Sequence, residues 1–275
     1  MYTTPNSEND AKPVSLSTLA QMKKEAKKFA CLTAYDASFA ALLDSAGVDV
    51  VLVGDSLGMV IQGRSTTVPV TVDDMIYHSS MVARGLQRAL LMVDMPFMSY
   101  ASPERALDNA ARIMQEGGGA MVKLEGSGNQ VEVVNRLASQ GIPVCAHLGL
   151  RPQSVHKIGG FKVQGRDAPA AKQMLNDALE LEQAGADIVL LECVPTKLAA
   201  EITKAVKVPV IGIGAGPDVD GQILVLYDVL DITPGKKPRF AKNYAAESAS
   251  PRDAVLHYVR EVKDGIYPQP EHSFD

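Results

Sequence analysis

Residues 48–59, with the sequence VDVVLVGDSLGM, form the stretch that decides the fold. The stretch begins as a valine-rich apolar run and ends in Gly-Asp-Ser-Leu-Gly, which predicts a buried strand that carries Asp55 to its exposed end. A core strand has no packing use for a terminal aspartate. Similar strands recur along the chain, and in a parallel α/β barrel their ends gather on one face, where ligands bind. The stretch therefore predicts that Asp55 is the central residue of a metal and substrate site at that face.

Composition limits the class of protein. The chain has 275 residues and a net charge of -5, which argues against a nucleic acid or an anionic membrane as main partner and favours a small soluble substrate. No apolar run approaches the roughly 20 residues that span a bilayer, and the N-terminus is too polar for a signal peptide, so we expect a cytosolic protein. Cys31, Cys145 and Cys193 lie far apart in apolar runs, which predicts buried free thiols.

Seven short apolar runs predict strands, over residues 29–34, 48–53, 89–93, 120–125, 142–147, 186–192 and 208–213. Amphipathic stretches of helical period lie between most of them, for example 103–115 and 170–184. This alternation is typical of parallel βαβ units with both faces of the sheet covered. An eighth strand is predicted over 222–229, and a last helix over 251–263. Because eight such strands close a barrel, the predicted fold is a (β/α)8 TIM barrel of the α/β class.

The sequence predicts one catalytic barrel domain over residues 14–275, because it contains no Pro/Gly/Ser-rich linker, composition break or low-complexity block. Residues 1–13 are polar and poor in aliphatic side chains, which predicts a flexible N-terminal tail. A helix over 16–26, capped by Ser15 or Ser17, is expected to cover one end of the barrel.

Charged and polar side chains end five consecutive predicted strands: Asp55, Asp94, Lys123 with Glu125, His147, and Glu192. Because side chains alternate along a strand, Lys123 and Glu125 should lie on the same side, and Cys193 should point away from Glu192 toward the helix layer. Carboxylates that converge on one rim repel each other unless a cation lies between them. Oxygen ligands without useful Cys or His spacing favour Mg²⁺.

Each of these residues alone has a simpler structural explanation. A strand-end aspartate often caps the following helix, and a lone His147 would more often be structural than a ligand. The whole set on consecutive strands is harder to explain in this way, and Lys123 after a buried run would be costly without a partner. Gly212, Gly214 and Gly216 lack the G-x-G-x-x-G pattern, so a dinucleotide site is not predicted.

A series of motifs runs in order along the chain, among them VGDSLGM (53–59), VKLEG (122–126), HLGLRPQS (147–154), LECVP (191–195) and IGIGAG (211–216). From about residue 16 to the C-terminus the sequence closely resembles the family of 3-methyl-2-oxobutanoate hydroxymethyltransferase, also called ketopantoate hydroxymethyltransferase, of pantothenate and coenzyme A synthesis. Phe161 stands where the family has tyrosine, and this departure does not touch the proposed site.

The resemblance implies a (β/α)8 barrel in a homo-oligomer, which in bacterial members is typically a decamer of two stacked pentamers. It implies Mg²⁺ bound by the metal ligands Asp55, Asp94 and Glu125. It also implies a 2-oxoacid at this metal site, with Asp55 and Asp94 beside it and contacts from Ser56, Lys123 and His147. Glu192 matches the family's catalytic carboxylate. The C-terminal segment 266–275 is expected to pack on a neighbouring subunit or to fold over its own barrel rim.

The chemistry of these residues suits a 2-oxoacid. Such an acid can chelate Mg²⁺ through its carboxylate and keto oxygens, and the ion stabilises an enolate when C3 loses a proton. Lys123 would balance the substrate carboxylate. By the resemblance, methylene-tetrahydrofolate is the co-substrate that supplies the one-carbon unit, and ketopantoate and tetrahydrofolate are the products.

Two alternatives to this function stay open. One is another Mg²⁺-dependent enolate enzyme, such as a relative of phosphoenolpyruvate mutase or isocitrate lyase. Those enzymes commonly carry a cysteine motif of the KKCGH type, which is absent here. The other is a non-catalytic barrel that serves assembly or binding, and the presence of the full set of site residues argues against it.

Overall fold

The computed structural model describes residues 12–235 and 237–275, and its strands close into a parallel barrel. The strands are β1 (Phe29–Thr33), β2 (Val50–Val53), β3 (Leu90–Asp94), β4 (Met121–Glu125), β5 (Val144–Gly149), β6 (Ile188–Glu192), β7 (Val210–Ile213) and β8 (Gly221–Leu224). Each strand pairs with the next, and β8 pairs with β1. The predicted (β/α)8 barrel is confirmed. The predicted N-terminal tail falls largely on residues 1–11, which lie outside the described residues.

Helices surround the barrel and alternate with the strands, except between β7 and β8, which follow each other directly. They are α1 (Leu16–Lys24), α2 (Ala37–Ser45), α3 (Leu57–Val60), α4 (Val72–Gly85), α5 (Pro103–Gln115), α6 (Asn129–Ser139), α7 (Val155–Ile158), α8 (Ala168–Ala184), α9 (Thr196–Ala205), α10 (Leu226–Val229) and α11 (Pro251–Lys263). Short 3₁₀ turns cover Pro152–Ser154, Ala245–Glu247 and Pro270–His272. In the described residues no helix has the length and apolarity needed to cross a membrane.

Helix boundaries follow the capping chemistry of the sequence. Ser102 accepts a hydrogen bond from the backbone of Arg105 at the start of α5, and Ser250 does the same at the start of α11. Both helices span the predicted residues. The helix α8 begins two residues before its predicted start, at Ala168, because Asp167 supplies the cap. Helix α1 follows Ser15, whose side chain accepts from the backbone of Thr18, and it contacts the segment before β8 through an ion pair of Lys23 with Asp220.

The prediction for the eighth strand is partly wrong. The strand was expected over 222–229, but β8 ends at Leu224 and residues Leu226–Val229 form the short helix α10. Strand β1 extends only one residue beyond the partner of Leu224, so the ladder could continue no further than Val225 on that side. Instead, the Thr33 hydroxyl accepts a hydrogen bond from the backbone N–H of Leu226 at 3.1 Å. A continuous apolar run therefore contains both a strand and a helix.

The register of the barrel brings the charged strand ends side by side. Asp94 pairs with Lys123 across β3 and β4, and Glu125 pairs with His147 across β4 and β5. Glu192 lies at the end of β6, opposite Gly149 of β5. Because all eight strands are parallel, these ends lie at the same face of the barrel.

Candidate active site

Lys123 and Asp94 form a buried ion pair at the base of the site. Lys123 Nζ lies 2.7 Å from Asp94 Oδ1, and both side chains are almost completely buried. Burial by itself lowers the pKa of Lys123, but the nearby carboxylates of Asp94, Glu125 and Asp55 outweigh it and raise the pKa above its ordinary value. Lys123 is therefore a fixed ammonium group at physiological pH.

Asp55 follows β2 and is held beside Asp94 by a backbone contact. The N–H of Asp55 donates to Asp94 Oδ2 at 2.9 Å. Burial raises the pKa of the Asp55 carboxyl to about 7, the charge of Asp94 adds to this rise, and Lys123 partly offsets it. Asp94 Oδ1 has the ion-pair contact with Lys123 but no hydrogen bond of favourable geometry. Both carboxylates thus lie in a site that is short of positive charge.

His147 lies between the ammonium group of Lys123 and two glutamates. Its Nδ1 is 3.3 Å from Lys123 Nζ and 3.7 Å from Glu125 Oε1, and its Nε2 is 3.3 Å from Glu192 Oε2. Burial lowers the pKa of His147 well below its ordinary value, and Lys123 lowers it further. Because an ammonium group can only donate, Nδ1 accepts and the neutral ring carries its proton on Nε2, toward Glu192.

Glu192 is the most accessible of the site carboxylates. Its side chain is 14% exposed, compared with 3% for Glu125. Burial raises the pKa of Glu192 to about 8, with Lys123 acting against this rise and Asp94 with it. Burial also raises the pKa of Glu125 well above its ordinary value. Glu192 therefore changes charge near neutral pH, which suits a general acid or base.

The backbone leaves the strand geometry at Cys193, whose side chain was expected to point away from Glu192 toward the helix layer. Cys193 lines the same cavity as Glu192. Strand alternation does not reach it, because β6 ends at Glu192 and Cys193 has a left-handed backbone with φ of 49°. The thiols of Cys31, Cys145 and Cys193 are free and buried, as predicted.

Sequence reasoning missed two polar residues that connect the predicted ones. Gln153 follows β5 in the turn Pro152–Ser154, and its side chain donates to Asp55 Oδ2 at 2.8 Å. Its backbone N–H donates to Glu125 Oε2 at 3.1 Å. Tyr100 donates its hydroxyl hydrogen to Gln153 Oε1. Gln153 lies in the HLGLRPQS motif, but no spacing in the sequence indicates that it reaches across the barrel to Asp55.

The predicted site residues line one cavity of about 720 Å³: Asp55, Ser56, Asp94, Lys123, Glu125, His147 and Glu192. The hydroxyl of Ser56 lies 2.8 Å from that of Tyr35. Further from the buried cluster, the cavity is lined by the exposed residues Arg64, Phe161 and Arg239. Phe274 also lines it, and its carbonyl accepts a hydrogen bond from the Thr196 N–H at 2.9 Å. The C-terminal segment thus folds over its own barrel rim.

The chemistry of these side chains suits the binding of a divalent cation. Asp55, Asp94 and Glu125 offer hard oxygen ligands, and both Asp55 and Glu125 have raised pKa values that a nearby cation would reverse. Asp94 Oδ1 is a buried oxygen without an aligned donor. However, within residues 12–235 and 237–275 no three His, Cys, Asp or Glu side chains are arranged as a ready metal site. Direct coordination by all three carboxylates would therefore require side-chain movement or bridging water.

Sequence comparisons connect nearly the whole chain to one family. The sequence model described as ketopantoate hydroxymethyltransferase matches residues 13–270. A 3-methyl-2-oxobutanoate hydroxymethyltransferase of Alkalilimnicola ehrlichii is 59% identical over 263 residues, which cover 96% of this chain and 95% of the relative. The protein of the same name from Shewanella loihica is 57% identical, with coverage of 95% and 98%.

Structural comparisons show the same kind of barrel in more distant proteins. Oxaloacetate acetylhydrolase in complex with 3,3-difluorooxalacetate matches with a TM-score of 0.60 and 13% identity, over 94% of this chain and 99% of that chain. Phosphonopyruvate hydrolase in complex with oxalate and Mg²⁺ matches with a TM-score of 0.59 and 12% identity, over 76% and 80%. At such low identity these matches show the fold alone.

Proposed function

The chain belongs to the ketopantoate hydroxymethyltransferase family, and we propose that it transfers a hydroxymethyl group from methylene-tetrahydrofolate to 3-methyl-2-oxobutanoate. Members of this family are enzymes of pantothenate biosynthesis. Relatives that carry the family name match this chain over nearly its full length. The observation that carries the proposal is the gathering of Asp94, Lys123, His147 and Glu192 in one cavity. In the reaction C3 of the oxoacid loses a proton and bonds to the donated carbon, water supplies the hydroxyl oxygen, and tetrahydrofolate is released.

We propose that Asp55, Asp94 and Glu125 hold Mg²⁺. When bound, Mg²⁺ would act as a Lewis acid that makes the C3 proton of the oxoacid easier to remove. A crystal structure with Mn²⁺ in place of Mg²⁺ tests the site by anomalous scattering. One peak among the three carboxylates is expected. A separation of more than about 10 Å between any two carboxylates exceeds the reach of one hydrated ion and contradicts the proposal.

The oxoacid carboxylate binds beside Lys123 in this proposal. His147 Nδ1 accepts from one of the three N–H donors of the ammonium group, and Asp94 Oδ1 lies 2.7 Å away as the paired charge. The group also lines the cavity, where it can donate to a ligand oxygen. Ser56 lies in the same cavity and can donate its hydroxyl to the substrate. These groups orient the substrate so that C3 can face Glu192.

Glu192 then exchanges the proton. Its raised pKa makes the carboxylate a stronger base than an exposed glutamate, and its partial exposure to the cavity leaves it accessible to substrate. Two sites of proton exchange are consistent with its position. They are C3 of the oxoacid and the new hydroxymethyl oxygen.

We further propose that the folate donor occupies the outer part of the cavity. Cavities of roughly 300–1,000 Å³ accommodate ligands of drug size, and 720 Å³ leaves space beyond a five-carbon acid. The aromatic faces of Phe161 and Phe274 suit a flat pterin or benzoyl ring, and the guanidinium groups of Arg64 and Arg239 suit the carboxylates of the glutamate tail. Arg64→Gln should raise KM for the folate and leave KM for the oxoacid unchanged. Arg84→Gln, an exposed change outside the cavity, is the control.

The assay of purified protein with both substrates decides the function. Folate-dependent formation of ketopantoate supports the proposal. Cleavage of a C–C or C–P bond without folate would assign the chain to the enolate enzymes of the phosphoenolpyruvate mutase type. Binding of an oxoacid without any turnover would favour a non-catalytic barrel. The cytosolic location stays a prediction.

A further inference from the structure

We propose that Gln153 is a positioning residue that fixes the carboxylates of Asp55 and Glu125 relative to each other, with Tyr100 as its anchor. The inference rests on the metal-binding part of the proposed function and adds residues to which that function assigns no role. It follows from a network of hydrogen bonds that joins four segments of the chain.

Gln153 uses its backbone N–H and both ends of its side-chain amide in hydrogen bonds. It is 5% exposed and lies in the 3₁₀ turn Pro152–Ser154, in which Pro152 restricts the backbone. Its Nε2 donates to Asp55 Oδ2 at 2.8 Å and to the carbonyl of Met95 at 3.0 Å. Its backbone N–H donates to Glu125 Oε2 at 3.1 Å. One residue therefore bonds to two separate carboxylates.

The network permits only one orientation of the Gln153 amide. The Asp55 carboxylate and the Met95 carbonyl both require donors, so the NH₂ group must face them and Oε1 must face Tyr100. The Tyr100 hydroxyl donates to Oε1, and it accepts the backbone N–H of Glu125 at 3.3 Å. Tyr100 thus links the side chain of Gln153 to the strand that carries Glu125.

Barrel register alone does not set the position of these two carboxylates. Asp55 follows β2 and Glu125 ends β4, and β3 separates the two strands. Gln153 reaches them from the loop after β5, 98 residues from Asp55 and 28 from Glu125. It bonds one oxygen of each carboxylate and leaves Asp55 Oδ1 and Glu125 Oε1 outside its network. In this proposal the two oxygens face the cation, and Glu125 Oε1 also lies 3.7 Å from His147 Nδ1.

The energetic reason for such a residue is the crowding of buried negative charge. A neutral amide that donates to one carboxylate stabilises its charge without adding a competing cation, and it restricts the rotation of the side chain. Partners of this kind around metal sites orient the ligands, and their loss typically weakens metal binding by about 10–100-fold.

Binding of Mn²⁺ to the full-length protein without substrates tests the proposal, with free Mn²⁺ measured by electron paramagnetic resonance. Gln153→Leu should bind Mn²⁺ about 10–100-fold more weakly than the parent. Tyr100→Phe should weaken binding by a smaller factor, because it removes the anchor and retains the amide. Gln222→Leu is the matched control: it removes another buried glutamine, which donates to the Gly216 carbonyl at 2.9 Å away from the carboxylates. Its Mn²⁺ affinity should equal that of the parent.

Circular dichroism and thermal unfolding separate loss of the fold from loss of positioning. Folded Gln153→Leu that binds Mn²⁺ as tightly as the parent overturns the proposal. If Gln153→Leu does not fold, unchanged affinity in folded Tyr100→Phe overturns it. Weakened Mn²⁺ binding in Gln222→Leu also overturns the proposal, because the loss would then follow from replacement of any buried glutamine. The turnover assay is separate: a parent whose Mn²⁺ affinity depends on Gln153 but that transfers no hydroxymethyl group would contradict only the proposed function.

Discussion

Lys123 and Asp94 are paired twice, once through the register of β3 and β4 and once through the 2.7 Å contact between Nζ and Oδ1. The pair is nearly inaccessible to water, so each charge depends on the other. Lys123 also contacts His147 and lines the cavity, so its ammonium group places a permanent positive charge where an oxoacid would enter.

Replacement of Lys123 by methionine should mainly weaken binding of the oxoacid. We expect KM for 3-methyl-2-oxobutanoate to rise by at least about tenfold, since hydrogen bonds to charged groups contribute roughly 1.5–3 kcal/mol. Ser56→Ala should have a milder effect, because a neutral hydrogen bond contributes roughly 1 kcal/mol. Steady-state kinetics at saturating folate measures both KM values. Unfolding curves check that Lys123→Met still folds, because the change leaves the buried Asp94 carboxylate without its partner. An unchanged KM in folded Lys123→Met would contradict the assigned role.

Replacement of Glu192 by glutamine should remove the acid–base group and keep the shape of the site. We expect kcat to fall by at least about 100-fold, while Mg²⁺ and oxoacid bind nearly as well as in the parent. Rapid-quench kinetics and calorimetry provide the two measurements. A kcat close to that of the parent would reject the catalytic role.

Deuterium exchange at C3 of the oxoacid, measured without folate, distinguishes the two possible roles of Glu192. If Glu192 removes the C3 proton, Glu192→Gln should lose the exchange that the parent shows in heavy water with Mg²⁺. If Glu192 serves the hydroxymethyl oxygen, the variant should retain the exchange and still lose turnover. Nuclear magnetic resonance of the oxoacid follows the C3 signal directly.

The metal-free protein should become less stable as pH rises from 6.5 to 8. Asp55 and Glu192 have folded-state pKa values of about 7 and about 8, above their ordinary values of 3.8 and 4.5, so the folded chain retains protons that the unfolded chain has released. The raised pKa of Glu125 acts in the same direction. The lowered pKa of His147 acts in the opposite direction, mostly below pH 6.5, where the unfolded imidazole takes up a proton that the buried ring does not. The free energy of unfolding should fall by about 1–3 kcal/mol across this range.

Denaturant titrations in a chelator at these two pH values measure this dependence. Added Mg²⁺ should stabilise the protein more at the higher pH, because ionised carboxylates bind the ion better. Asp55→Asn combined with Glu192→Gln is the control, and most of the pH dependence should disappear in it. Stability of the parent that rises with pH over the same range would contradict the proposed charge states.

The family resemblance predicts a homo-oligomer larger than a dimer. The exposed apolar side chains Tyr77, Phe97, Met98 and Ile266 offer surfaces for contact between copies. Light scattering at micromolar concentration should give several times the 29.3 kDa mass of the chain. A monomeric mass would contradict the prediction.

Much of the fold and of the candidate site could be predicted from local patterns. Apolar runs indicate seven strands, and parallel strands bring their carboxyl ends to one face. Residues such as Asp55, Lys123 and Glu192 can therefore be grouped from the sequence alone. Strand alternation placed Lys123 and Glu125 on one side. These inferences succeeded because they depend on neighbours in sequence and on one general property of the barrel.

Contacts between distant segments were decided only by the tertiary structure. The end of β8 depends on the hydroxyl of Thr33 on the neighbouring strand, and the position of the C-terminal segment depends on the bond between Thr196 and Phe274. Gln153 reaches Asp55 across the barrel, which no spacing in the chain encodes. The neutral state of His147 and the raised pKa of Glu192 likewise follow from burial and from charges brought close by folding. Local sequence patterns determine which residues reach the rim, whereas packing among the loops determines how each one is held and charged.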